Sequence, residues 1–195
     1  IIAFRYNVIG NLPTNEQERG YSMAAQKLSQ GASSSAAQVI ESLREIYPKD
    51  DAFKAMFADK VIRTTDSRNN RVTRYILCEL ERQHSGQDND FASDVFTVEH
   101  VLPQNPETGW EQFTDEEVEA MTYRIGNMVL LAKGANKEIG NSAYTIKRPV
   151  LQDSRFELTQ KLAEENADWT PDRIAARQKL LAKLATAIWR IDPLS

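Results

Sequence analysis

Only two stretches of this chain read as β-strands, and both lie inside residues 95–147. Residues 96–101 are rich in β-branched and aromatic side chains, and Pro103 stops them. Residues 127–132 form the second run, with Gly126 permitting a tight turn into it. Directly after it, Lys133-Gly134-Ala135-Asn136 opens a short helix that Gly140-Asn141-Ser142 ends. The unit is therefore strand–loop–strand–helix. The expected fold is mainly α, a helical domain with this small unit embedded in it.

The helices around it announce themselves by spacing and caps. Residues 1–13 read either as an extended lead-in or as a helix end. Thr14 with Gln17 fits a capping box for a helix over 14–30, with Tyr21, Ala24, Ala25 and Leu28 on one face. A second helix over 36–46 places Val39, Ile40, Leu43 and Ile46 at helical spacing and stops before Pro48. A short third spans 51–57, and a longer one 71–83 turns Val72, Tyr75, Ile76 and Leu80 inward. Thr114 with Glu117 is a second capping box, opening a strongly acidic helix to residue 123. Past Lys147-Arg148-Pro149 comes a helix around Phe156, Leu158 and Leu162. Thr170, followed by Pro171 at the first helical position, starts the last one, which runs to about residue 190. The expected organisation is an N-terminal helical part over 1–90, the strand-bearing unit over 91–148 and C-terminal helices over 149–195, all in one structural domain.

Composition narrows the class. The 195 residues are 41% hydrophobic, enough for a real core, and no apolar run approaches a bilayer span. Cys78 is the single cysteine, so an intrachain disulfide and a Cys-based zinc site are excluded, and a cytoplasmic protein is the simplest expectation. The start at Ile1 has no basic leader region and reads as the cut edge of a longer protein. Net charge is −4. Such acidity does not suit a dedicated DNA-coating domain, but it is compatible with a local basic patch. Residues 60–82 carry such a concentration, with Lys60, Arg63, Arg68, Arg71, Arg74 and Arg82. They are either a solvated face or a phosphate-contacting flank, and composition does not decide. The acidic helix over 114–123 would repel DNA and is expected to face away from it.

Of the two histidines, His84 sits near the end of a charged helix, where a surface role at the C-terminal dipole suffices. His100 follows Glu99 directly in a strand. Successive strand residues point to opposite faces, so the two share a site only where the strand bends or ends. Trp110 and Trp189 read as core or loop anchors, and Tyr144 is a candidate DNA contact by position alone.

Glu99-His100, Gly126-Asn127 and Asn136 in this order resemble the ββα-metal finger of the HNH (His-Me finger) endonucleases. Over a longer span, Glu99 to Gln104, Trp110, Ile125 to Leu131, Asn136, Asn141 and Lys147 look like the C-terminal domain of GmrSD-type restriction endonucleases. The Tyr75-Ile76-Leu77 helix ending in Glu81, and the Trp169-Thr170-Pro171 helix with Arg177 and Trp189, fit the same family. The resemblance implies a metal-dependent DNA endonuclease or nickase of a prokaryotic restriction or anti-phage defence protein. His100 would be general base, with Asn127 beside it in the catalytic set, tying the finger together and orienting the His100 strand. Glu99 and Asn136 would hold Mg²⁺ or Mn²⁺, and Lys137 and Lys147 are candidate phosphate contacts. Asn136 stands where the common motif has His, which favours an oxygen-loving metal over zinc. The partners implied are DNA, modified or not, and an N-terminal NTPase or sensor domain, fused or in complex. NTP would act only through that other domain, since no phosphate-binding Gly-rich loop is present here. Two other classes compete: a non-catalytic helical DNA- or protein-binding module, and an RNase-type toxin using the same finger.

Overall fold

The two strands pair with each other in the computed structural model, which describes residues 1–195. Strand β1 (Phe96–His100) runs antiparallel to β2 (Met128–Ala132), with Phe96 opposite Ala132 and His100 opposite Met128. Everything else regular is helical: α1 (Thr14–Ser29), α2 (Ala36–Ser42), α3 (Asp50–Asp59), α4 (Ser67–Ser85), α5 (Asp115–Met121), α6 (Lys133–Ile139), α7 (Tyr144–Gln152), α8 (Glu157–Glu165) and α9 (Pro171–Ile188). The mainly α expectation holds, and β1, β2 and α6 follow one another in the expected strand, strand, helix order. No helix is long and apolar enough to cross a membrane.

The contacts divide the chain into two units. The first comprises residues 1–58 and 185–195, the second 59–184. In the first, the fully buried Arg5 is the centre. Its guanidinium donates to the carbonyls of Pro48 (2.8 Å) and Trp189, pairs with Asp50 at 2.7 Å and lies over the rings of Tyr47 and Phe53. A buried cation is stable only when its donors are spent in this way. The ambiguous N-terminal residues form a wide helical turn, Phe4–Ile9, which delivers Arg5 to that position.

Two sequence expectations in this unit need correction. Helix α1 starts at Thr14, but Pro13 is its N-cap and no side chain caps it. Tyr21, Met23 and Leu28 stay exposed, and only Gln17 and Ala24 are buried. Helix α2 is shorter than expected and passes into a tight turn, Arg44–Ile46. Its start carries a capping box between Ser35 and Gln38.

The second unit is built on α4 and the strand pair. Helix α4 begins four residues before the apolar spacing does, because Asp66 caps it by accepting from Asn69 N at 2.8 Å. It buries Ile76, Leu77, Cys78 and Leu80, and also Glu81. That carboxylate accepts from Glu157 N (2.7 Å) and Leu158 N (3.1 Å), capping α8 from a distant part of the chain. The second capping box, Thr114 with Glu117, forms as expected at α5. Helix α7 was not marked in the sequence, and it contains Pro149. It is tolerated inside the helix, where a proline removes one backbone donor. The core of this unit gathers Val101, Leu102, Trp110, Val129, Leu131, Trp169 and Ile174.

Gly126 lies in the tight turn Ile125–Asn127 that leads into β2. A Cβ there would stand 2.4 Å from Ile174 O and 2.8 Å from Gln178 Cβ. Glycine is required by this close approach of α9 rather than by its dihedral angles. Gly126→Ala should therefore lower the unfolding free energy by about 1–3 kcal/mol, toward the upper end because the obstacle is backbone. Urea denaturation checks this; a wild-type midpoint would show that α9 can move away freely.

Candidate functional site

Where β1 ends, Glu99, His100, Gln104, Asn105, Asn136 and Asn141 line one open cleft of about 280 Å³. The ladder stays regular through His100. Glu99 and His100 can share the cleft because the strand ends there, yet each holds a different partner. Glu99 Oε1 accepts from Lys147 Nζ at 2.5 Å, and the same ammonium donates to His100 O at 2.9 Å. The His100 Nε2 lies 3.0 Å from Thr64 Oγ1, and Tyr123 meets the imidazole edge-on.

Burial sets the protonation states. Glu99 is 5% exposed, His100 8% and Lys147 0%. Desolvation pushes the Glu99 carboxyl up, against the pull of the Lys147 ammonium, and pushes Lys147 down. For His100, burial and then the nearby Lys147 charge lower the imidazole to about 4, so it is neutral at pH 7.

The remaining expected site residues fall into three positions. Asn136 donates from its amide nitrogen to Val98 O at 3.1 Å, which leaves its carbonyl oxygen as the end open to a ligand. Asn127 does not touch the cleft. It is fully buried: its Oδ1 accepts from Leu102 N (2.8 Å) and Trp169 Nε1 (2.9 Å), and its Nδ2 donates to Leu102 O and Thr122 O, both at 2.9 Å. Its carboxamide is wholly engaged with groups of the protein itself. Lys137 is exposed on α6.

Lys147 does not fit a phosphate contact. Its ammonium is wholly enclosed and spent on Glu99 and His100 O. Tyr144 is also inward, stacked on Trp169 and donating to Asn166 O at 3.0 Å, with its hydroxyl pushed by burial up to about 12. Trp110 and Trp189 are each 3% exposed and anchor cores as expected. His84 is exposed in the last turn of α4.

Thr64 was missed from the sequence. It lies 36 residues before His100 in a loop, and nothing in its neighbours marks it. Arg177, named above only as part of the resemblance, donates to Gly126 O (2.8 Å) and Met128 O (2.9 Å), and Gln178, which the sequence does not mark, accepts from Gly126 N.

No group of three or more His, Cys, Asp or Glu side chains is set to hold a metal ion. The polar atoms of the cleft are one carboxylate, one imidazole and several carboxamides. That donor set suits a hard, oxygen-preferring cation that keeps much of its water, and not zinc.

The chain belongs to a known family: residues 47–184 match the sequence model of the GmrSD restriction endonucleases, C-terminal domain. That span contains the whole cleft and both strands. No individual curated protein matches the chain.

The Glu99–Lys147 pair yields a stability prediction. Lys147→Met would leave Glu99 buried without its counter-charge, at a cost of about 3–5 kcal/mol. Adding Glu99→Leu should recover most of that loss. Chemical denaturation of the single and double variants measures the coupling, and simple additivity would mean that the pair is not linked.

Proposed function

We propose that this chain is a metal-dependent DNA endonuclease or nickase domain of an HNH type, acting in restriction of foreign DNA. The observation that carries the reading is that Glu99, His100 and Asn136, the three residues of the acid–His…Asn pattern, line one open polar cleft. Membership of a restriction endonuclease family supports the substrate class.

In this reading His100 is the general base. Its neutral imidazole takes a proton from a water molecule as that water's oxygen attacks phosphorus, and the bond from phosphorus to the leaving oxygen breaks. The leaving oxygen takes up a proton from solvent. With Nε2 donating to Thr64 Oγ1, Nδ1 would be the ring nitrogen left to accept the water's proton. Asn127 fixes the end of β1 and with it the position of the base. Glu99 and Asn136 would hold Mg²⁺ or Mn²⁺ through oxygen atoms, with water completing the shell. Such a cation, when bound, offsets charge on the scissile phosphate and the leaving oxygen. Lys137 remains a phosphate contact in this scheme, and an NTP-hydrolysing sensor domain, fused or in complex, is its partner.

Nicking of supercoiled plasmid with Mg²⁺ or Mn²⁺ tests the reading. His100→Ala should lose about 10²–10⁴-fold in rate, the usual worth of a general base, and EDTA should stop the wild type. DNA left intact by the wild-type protein together with its partner domain would refute the catalytic role. Cleavage of RNA in EDTA would replace the metal mechanism by 2′-hydroxyl chemistry.

A further inference from the structure

A second depression of about 560 Å³ lies at the start of α4. Thr64, Thr65, Ser67, Asn70, Arg71 and Arg74 form much of its wall, with Phe91 beside them. Asn70 lines this depression and the His100 cleft as well. Thr64, on the wall of the larger depression, is the residue that holds the His100 imidazole. The two depressions are therefore neighbours along one surface.

Arg71 and Arg74 stand three residues apart on α4, on one face of the helix. Arg71 is exposed and Arg74 half-buried. Neither pairs with a carboxylate, whereas Arg82, further along the same helix, is bonded to Glu79. Aromatic rings brace both cations: Arg71 lies 5.7 Å from the centre of Phe91, and Arg74 lies 4.9 Å from that of Phe96. Arg74 donates to Ser93 O, and its Nε is buried with no hydrogen-bond partner. The carboxylate on the same wall, Asp66, is engaged with the helix's own Asn69 N. What remains is a set of hydroxyls, a carboxamide and two guanidinium groups without counter-ions. In a chain of net charge −4 this is a local basic patch next to the cleft.

We propose that this depression carries the phosphodiester backbone of the DNA strand running into the His100 cleft, with Arg71 and Arg74 contacting phosphates that flank the scissile one. Guanidinium groups braced by rings lose little freedom on binding a phosphate, and their planar fork suits its oxygens. The choice of DNA as ligand rests on the nuclease reading, but binding can be measured without cleavage.

The experiment is a salt titration of the protein on a fluorescently labelled DNA duplex, in EDTA so that nothing is cut. Each lost phosphate contact should make the slope of log affinity against log salt shallower by about 0.9. Arg71→Gln should lose about one such step and Arg71→Gln with Arg74→Gln about two. Lys179→Gln, exposed on α9, should leave the slope unchanged. Because Arg74 packs on Phe96, the exposed Arg71 gives the deciding single variant, and unchanged thermal unfolding certifies its fold. A wild-type slope in Arg71→Gln, or a wild-type protein that binds no duplex, overturns the proposal. Plasmid nicking separates the two ideas: nicking that depends on His100 while the slope ignores Arg71 overturns only the backbone track. A slope that follows Arg71 in a protein that never nicks supports the track and removes the nuclease reading.

Discussion

A single carboxamide, that of Asn127, ties together the pieces on which the cleft depends. It joins the backbone just past β1 at Leu102, the end of the acidic helix at Thr122 and the indole of Trp169 ahead of α9. Two donors reach its oxygen and two carbonyls take its nitrogen, so only one orientation of the amide satisfies all four groups. In a fully buried position each of those partners would otherwise stand unpaired, at a cost of about 1–3 kcal/mol apiece. The backbone adds to the same joint, since Val101 N donates to Asn127 O at 3.0 Å. A residue that closes a strand end so firmly fixes where the next side chains point. His100, immediately before that joint, inherits its position from it.

The charge arrangement around His100 follows from the same enclosure. Lys147 cannot reach solvent, so its ammonium is stable only beside Glu99 and the His100 carbonyl. In turn it occupies one oxygen of the carboxylate and adds a positive charge near the imidazole, which together with burial keeps that ring neutral. The pair also explains how a carboxylate can stand at 5% exposure in an apolar strand end. Any cation approaching Glu99 meets a carboxylate whose charge is already half-answered, and the neutral amides around it compensate little.

Much of this was legible in the residues, and the parts that were not share a cause. Period and capping identified most of the helices, and β-branched content identified both strands within a residue or so. The family was legible only over a longer span, in Glu99 to Gln104, Trp110, Ile125 to Leu131, Asn136, Asn141 and Lys147 taken together. The failures are non-local. Lys147 was expected as a phosphate contact because nothing in its neighbours signals a buried acid 48 residues earlier. Thr64 carries no mark at all, since its value lies in the imidazole that the fold brings to it. Helix α7 gave no local signal either: it contains Pro149, which removes one backbone donor, and it is held by the packing of Leu151 and Lys147, both fully buried. The capping box expected at Thr14 failed in the opposite sense, because a good cap motif does not form when Pro13 already sets the turn.

These long-range contacts also bear on how the cleft came to be shared by several elements. Glu99 and His100 come from β1, Asn136 from α6, Lys147 from α7 and Thr64 from the loop before α4. A two-stranded sheet is marginal alone, so its geometry is only as fixed as the helices against it. Arg177 and Gln178 of α9 hold the turn before β2, Thr159 of α8 bonds Leu130 O at 2.8 Å, and Lys147 bonds the end of β1. Each strand is thus held by at least one helix side chain bonded to its backbone. The helical majority of the chain is what allows a sheet this small to bring a carboxylate, an imidazole and a carboxamide to one opening.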